Sequence, residues 1–133
     1  MRTFDQPLRE MIARRIDETV LGIARAMGGD ARVDYQFGYP PLVNDAAMSS
    51  LVETVAREVV GDSFSSGDLS MASDDMAYFL QRAPGCYFGV GTANEARGLT
   101  AGNHQPRFDI DEDALPVGVE MLVGVVKRYF ERG

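Results

Sequence analysis

The sequence predicts an α/β fold for this chain of 133 residues. Four segments carry apolar residues at helical spacing, two short segments have the alternating or continuous apolar pattern of strands, and a strand stub is expected before the first helix. Helix and strand patterns follow one another along the chain, as in α/β proteins. The small number of strands predicts a thin sheet.

The first helix is predicted to begin after Asp5, which can cap it, with Pro7 in its first turn. Gly28 and Gly29 are expected to end it. Its apolar face recurs at three- and four-residue steps: Leu8, Ile12, Ile16, Val20, Ile23 and Met27. Alternating apolar residues then predict a half-buried strand that ends at Pro40 and Pro41: Val33, Tyr35, Phe37 and Tyr39.

The second helix is predicted to open at Asn44 and Asp45 and to close at Gly61. Its buried stripe comprises five apolar residues: Met48, Leu51, Val52, Val55 and Val59. The polar residues 62–70 indicate a loop, and residues 73–75 can cap a short helix that runs through Leu80.

A short apolar strand is predicted over residues 86–91, after a turn at Pro84 and Gly85. Residues 92–109 form a long loop, and loops of this length in compact proteins are usually functional or mobile. The acidic residues 111–113 suit the start of the last helix, because they complement its dipole. The predicted buried side of that helix is Leu115, Val119, Leu122, Val126 and Phe130.

Composition limits the function classes. The net charge is −7, so no nucleic-acid partner is expected, because phosphate backbones require a basic surface. The longest apolar stretch, residues 117–126, is interrupted by Glu120 and is too short to cross a bilayer, so no membrane partner is expected either. The first residues lack an apolar signal region, and a single cysteine excludes an internal disulfide. A cytoplasmic location is therefore expected.

The single histidine, His104, is the only imidazole that could bind a metal or move a proton near neutral pH. It lies in the long loop, and Asp109 or Asp111 could orient its second ring nitrogen. The alternative is a solvent-exposed histidine without a ligand. A catalytic zinc site needs about three protein ligands, which one histidine cannot supply.

Other candidates have equally plain alternatives. Ser73, Asp74 and Asp75 could form a turn that cradles substrate or could simply cap the helix that follows. Arg2 could clamp a carboxylate or remain solvated. Cys86 is interpreted as a small buried apolar residue rather than a nucleophile.

Four segments in order carry a resemblance to a known family. They are Arg2-Thr3-Phe4-Asp5; Asp34-Tyr35 with Gly38 through Asp45; Met71 through Phe79; and Pro84-Gly85-Cys86-Tyr87 followed by His104-x-Pro106-x-Phe108-Asp109-x-Asp111-Glu112-x-x-Leu115-Pro116-x-Gly118. Together they resemble the C-terminal part of metal-dependent amidohydrolases of the aminoacylase and carboxypeptidase type. Hippurate hydrolases, N-acyl-amino-acid hydrolases and indole-acetyl-amino-acid hydrolases are the most similar group.

The resemblance implies a two-domain dinuclear metallohydrolase, with an α/β sandwich lid for dimerisation and substrate closure and a catalytic α/β domain. Residues 1–40 resemble the C-terminal portion of the lid, and residues 41–133 resemble the C-terminal portion of the catalytic domain. Strands elsewhere in such an enzyme would complete the thin sheet. The chain is therefore expected to be a C-terminal fragment.

By resemblance, His104 corresponds to the last metal-ligand histidine and Arg2 to the lid arginine that binds the substrate carboxylate. Asp74 and Asp75, after Ser73, stand at the Glu-Asp positions near the substrate pocket, with Ala72 and Met76 replacing Gly and Phe of that segment. The family uses two divalent ions, zinc or manganese. They lower the pKa of a bound water, which a glutamate deprotonates, and polarise the amide carbonyl.

The chain lacks several sequence motifs of the family. It has no His-x-Cys-Gly-His-Asp segment, no Glu-Glu pair and no second histidine. We therefore expect the chain alone to bind no metal tightly and to show no activity on N-acyl amino acids or peptides. Its expected partner is a second copy of itself in a homo-oligomer or a missing N-terminal portion of the enzyme. The alternative hypothesis is a non-catalytic dimerising module derived from such a hydrolase.

Overall fold

A computed structural model of the chain describes residues 2–131. They form four α-helices, α1 (Gln6–Ala26), α2 (Ala46–Val60), α3 (Met76–Leu80) and α4 (Ala114–Phe130), with two single-turn 3₁₀ helices at Gly61–Ser63 and Glu95–Arg97. The chain divides into two compact units. The first comprises the described residues of 1–43 with Asp68–Ala83, and the second comprises Asn44–Gly67 with the described residues of 84–133.

The helices begin where the sequence predicts them. The Asp5 carboxylate accepts a hydrogen bond from the Leu8 N–H at 2.7 Å, and Asp45 accepts one from the Met48 N–H at 2.9 Å. Each bond satisfies an N–H that has no partner within its helix. Gly28 follows α1 with φ 79° and Gly61 follows α2 with φ 53°, values that glycine adopts without a steric penalty.

The predicted strands are absent from the part of the chain that the structure describes, so the α/β class is not confirmed. Residues 33–39 and 86–91 have no strand assignment, and the one β pairing in residues 2–131 is an isolated antiparallel bridge between Asn94 and Leu99. The physical reason is that a strand needs a neighbouring strand to receive its backbone hydrogen bonds. Near residue 87, a side chain provides such bonds instead: Asn44 accepts from the Tyr87 N–H at 2.8 Å and donates to its C=O at 2.9 Å.

The second unit contains a small apolar core between α2 and α4. Leu51 is fully buried, and Val52, Val55, Ala56 and Met121 are buried around it. Partly buried apolar residues pack against this group: Val59, Phe64, Cys86, Phe88, Val117 and Val125. At the helix contact, a β-carbon on Gly124 would lie 2.7 Å from Val55 Cγ1, so glycine is what allows the close approach.

The predicted buried side of α4 is wrong for the described residues. Leu115, Val119, Leu122, Val126 and Phe130 are each more than half exposed. The helix is apolar on two sides, and it packs on α2 through the side that carries Val117, Met121 and Val125. Periodicity alone cannot choose between two apolar faces.

In the first unit, the one buried charged residue is Arg9, among the residues described. Its guanidinium donates to the Gly38 C=O at 2.5 Å and to Gln6 Oε1 at 3.2 Å, and it lies 5.0 Å from the centroid of the Phe37 ring. These contacts attach residues 37–38 to the first turn of α1.

No helix in the described residues is both long enough and apolar enough to span a membrane.

Candidate functional site

His104 lies in a turn of the loop between residues 92 and 111, and its side chain is exposed. It is the one non-glycine residue in the described part of the chain with positive φ, at 66°. Histidine is among the few residues that adopt this left-handed conformation with some frequency. Local hydrogen bonds shape the turn: the Gln105 N–H donates to the Gly102 C=O at 3.3 Å and the Phe108 N–H to the Gln105 C=O at 2.9 Å.

The Asp111 carboxylate does not orient the imidazole, which corrects one of the two options drawn from the sequence. It accepts hydrogen bonds from Asn94 Nδ2 at 2.5 Å, from Arg97 Nη1 at 2.6 Å and, more weakly, from the Asp113 N–H at 3.3 Å. The Asp111 side chain is 13% exposed, whereas that of Arg97 is 57% exposed. The second option, Asp109, accepts from the adjacent Ile110 N–H at 2.8 Å.

These donors change the acidity of Asp111. The hydrogen bond from Asn94, followed by that from the Asp113 N–H, holds the pKa of Asp111 below its ordinary value of 3.8. Burial opposes this by raising the pKa, and the charge and hydrogen bond of Arg97 lower it further. The carboxylate is therefore stabilised in its ionised form.

Sequence reasoning missed Asn94 and Arg97. Asn94 Oδ1 accepts from the Arg97 N–H at 3.2 Å, and Gly98 follows with φ 73°. An Asn that caps a single turn closed by a left-handed Gly is a recognisable local signal, which could have marked this turn. The pairing with Asp111, 17 residues away, has no such local signal.

The predicted substrate-binding residues belong to the first unit, and the structure brings Arg2 to the segment that holds the others. Arg2 Nη1 donates to the Met71 C=O at 2.9 Å, two residues before Ser73. Asp74 accepts from the Met76 N–H at 2.8 Å at the start of α3, which is a capping interaction. Arg2, Ser73 and Asp75 are exposed. A guanidinium has five N–H donors, so one bond to a carbonyl leaves others for an anionic group.

Cys86 is partly buried, whereas the sequence predicted a small buried apolar residue. Its sulfur accepts from Asn44 Nδ2 at 3.4 Å and from the Ser49 hydroxyl at 3.7 Å.

A surface depression of about 510 Å³ lies on α2, where it is lined by residues such as Glu53 and Arg57. None of the predicted site residues lines it.

The described residues do not form a metal site by themselves. An exposed imidazole is a suitable ligand for zinc or manganese. However, within residues 2–131 no three His, Cys, Asp or Glu side chains lie close enough together to hold a metal ion. His104 can therefore contribute one ligand, and the chemistry of a complete site requires donors that these residues do not bring to it.

Comparisons with known proteins give a consistent result. The sequence profile of peptidase family M20/M25/M40 matches residues 7–128. A putative amidohydrolase, YhaA of Bacillus subtilis, is 30% identical over 131 residues, which cover 98% of this chain and 33% of the relative. The IAA-amino acid hydrolase ILR1-like 6 of Arabidopsis thaliana is 30% identical over 133 residues, covering 96% of this chain and 29% of the relative.

A third relative, the N-acetyl-L-cysteine deacetylase of Bacillus subtilis, is 30% identical over 131 residues, covering 98% of this chain and 30% of the relative. The chain thus spans about a third of the length of the curated relatives that it matches. No solved structure matches it significantly.

Proposed function

Since this chain belongs to peptidase family M20/M25/M40, we propose that it forms part of a metal-dependent amidohydrolase that cleaves the amide bond of N-acyl amino acids or related peptides. The observation that carries the proposal is the family match over residues 7–128, together with relatives named as an amidohydrolase, an amino acid hydrolase and a deacetylase. The proposed substrate class, N-acylated amino acids or related peptides, is the one that these names have in common.

Within that enzyme, His104 binds one of two divalent ions, zinc or manganese. The exposed imidazole in a structured turn supports this role. When bound in such a site, a metal lowers the pKa of a water molecule and polarises the carbonyl of the amide. The remaining ligands and the glutamate base come from polypeptide other than these 133 residues, because the chain has a single histidine, no Glu-Glu pair and no three-ligand cluster among its described residues.

Arg2 binds the carboxylate of the substrate, and Ser73, Asp74 and Asp75 line the same part of the pocket. The hydrogen bond from Arg2 to Met71 supports this, because it attaches the guanidinium to the segment that contains the other three residues. The two aspartates make this neighbourhood acidic, so Arg2 is its attractive group for an anionic substrate.

The two-domain organisation is also a proposal. Residues 1–40 belong to a lid and residues 41–133 to a catalytic α/β domain. In the assembled enzyme, residues 33–39 and 86–91 pair with strands from other segments. A cytoplasmic location is proposed as well, on the basis of a single unpaired cysteine.

The test is hydrolysis of N-acetyl and N-benzoyl amino acids in the presence of zinc or manganese. The purified 133-residue chain should show no metal-dependent turnover, and robust turnover would overturn the claim that the chain is incomplete. Added to the B. subtilis amidohydrolase YhaA lacking its matched third, the chain should restore turnover. A His104→Asn chain should not restore it, whereas an Asp113→Asn chain should.

A second candidate, a non-catalytic module that associates with itself, is favoured by one observation. The face of α4 formed by Leu115, Val119, Leu122, Val126 and Phe130 is apolar and more than half exposed in the described residues. Exposed apolar faces of this kind promote association. Light scattering tests the idea, since a stable monomer at high concentration would argue against it.

A further inference from the structure

The loop that carries His104 is closed at its base by backbone hydrogen bonds. The Asp111 N–H donates to the Thr92 C=O at 2.9 Å. Asn94 and Leu99 exchange two backbone hydrogen bonds, each of 2.9 Å. The entry and the exit of the loop therefore meet at residues 92 and 111, and residues 100–110 project from that closure.

The side chain of Asp111 adds a second closure at the same place. One carboxylate oxygen accepts from Asn94 Nδ2, and the other accepts from Arg97 Nη1 and from the Asp113 N–H. Two of these donors belong to the entry side of the loop and one to the start of α4. Hydrogen bonds to a charged carboxylate are stronger than neutral ones, so the donors on Asn94 and Arg97 favour an ionised Asp111.

The orientation of the Asn94 amide is fixed. Its oxygen accepts from the Arg97 N–H at 3.2 Å, so its NH₂ group must face the carboxylate. Asparagine at position 111 would have one oxygen and one NH₂ group in place of two oxygens. In either orientation its NH₂ group would face a donor, on Asn94 or on Arg97 and Asp113. The network therefore requires an ionised carboxylate at position 111.

Inside the loop, by contrast, the backbone hydrogen bonds of the His104 turn are local, between residues three apart in residues 102–108. Such bonds shape the turn without attaching it to the rest of the unit. The position of the imidazole thus depends on the closure at the base of the loop.

We propose that Asp111 is a positioning residue for His104: its carboxylate ties Asn94 and Arg97 to the start of α4 and so presents the imidazole in one fixed place. Its importance for catalysis rests on the proposed function, in which His104 binds a metal. Among the described residues, the hydrogen-bond partners of the Asp111 carboxylate are Asn94, Arg97 and Asp113 rather than the imidazole. It acts by limiting the conformations that the loop can adopt.

The test uses the fact that the chain has one histidine, so each of the two ring C–H groups gives one unambiguous NMR signal. Asp111→Asn removes the charge and one acceptor with little change of shape. Asp113→Asn is the matched control, because it removes the same charge two residues away, from an exposed side chain that makes no capping hydrogen bond. The readouts are the order parameter of the His104 amide, the linewidths of its imidazole signals and the thermal unfolding midpoint.

In Asp111→Asn, the His104 order parameter should fall from about 0.85 towards 0.6 or below, while Asp113→Asn stays at the wild-type value. The unfolding midpoint of Asp111→Asn should fall, because the hydrogen bonds of the carboxylate stabilise the fold. Order is therefore compared at a temperature at which all three proteins are folded, which separates positioning from a general loss of stability. An unchanged order parameter in folded Asp111→Asn would overturn the proposal. Should that variant fail to fold, Arg97→Gln decides, since it removes a mostly exposed partner: reduced order at His104 supports the proposal, and unchanged order overturns it.

The experiment needs neither metal nor substrate, so its outcome is independent of the proposed function. If His104 loses order in Asp111→Asn but His104→Asn still restores hydrolysis in the mixing experiment, the metal role fails and the positioning role stands. If His104 keeps its order and His104→Asn abolishes restoration, the positioning role fails and the metal role stands.

Discussion

Substituting Gly124 by Ala tests the packing of α4 on α2. In an exposed helix interior, Gly→Ala stabilises by about 1 kcal/mol, because alanine restricts the unfolded chain. At position 124 the new β-carbon would lie 2.7 Å from Val55 Cγ1, and Val55 is 2% exposed. A short, buried, β-branched side chain cannot move aside easily, and overpacking of this kind costs ~1–3 kcal/mol.

The control is Gly118→Ala in the same helix, where a β-carbon would meet nothing within 4 Å. The helix-propensity gain is common to both variants and cancels in their difference. The free energy of unfolding of Gly124→Ala should therefore be ~1–3 kcal/mol below that of Gly118→Ala. Urea denaturation followed by far-UV circular dichroism measures both.

Adding Val55→Ala removes the methyl group that the new β-carbon meets. In that background, Gly124→Ala should become neutral or stabilising, with a coupling energy of ~0.5–3 kcal/mol. Equal stabilisation by Gly118→Ala and Gly124→Ala in the wild-type background would refute the close approach of the two helices.

Three further predictions concern burial, capping and pH. Leu51→Ala should lower the free energy of unfolding by ~2–5 kcal/mol, because the side chain is fully buried, whereas Leu122→Ala, at a position 61% exposed, should change it by under ~0.5 kcal/mol; urea denaturation measures both. Asp45→Ala should cost ~0.5–2 kcal/mol in the same assay through loss of the cap on α2, and Asp45→Asn should recover most of it. The pKa of Asp111 is lowered in the folded protein, so the carboxylate stays ionised above pH 3.8 and should keep the His104 loop ordered there. The His104 amide signal should report loss of that order only as the pH falls below 3.8, and loss near pH 5 would show that Asp111 is not its cause.

Local signals in the sequence predicted the helices well. Asp5 and Asp45 each cap the helix that was expected after them, and Gly28 and Gly61 follow the helix ends. These features depend on residues a few positions apart, which a single sequence displays directly.

The strands and the buried face of α4 were not predictable in the same way. Whether residues 33–39 form a strand depends on a neighbour elsewhere in a chain, and whether Leu122 is buried depends on what packs against that side of α4. In the described residues, α2 contacts the other side, through Met121. Both properties are decided by tertiary partners rather than by local pattern.

The candidate site was predicted in part. The sequence singled out Arg2 and residues 73–75 separately, and the bond from Arg2 to Met71 brings Arg2 to that segment. The loop position of His104 was also anticipated. The hydrogen bonds of Asp111 were not, because its partners Asn94 and Arg97 are 17 and 14 residues away.

The left-handed backbone at His104 restricts which amino acids evolution can place there. At φ 66°, glycine, asparagine, aspartate and histidine are the residues accommodated most readily. Of these, only histidine offers an imidazole and only aspartate offers a carboxylate to a metal. The shape of the turn thus narrows the choice of residues at position 104. In the proposed function, asparagine or glycine there would keep the turn and remove the imidazole ligand.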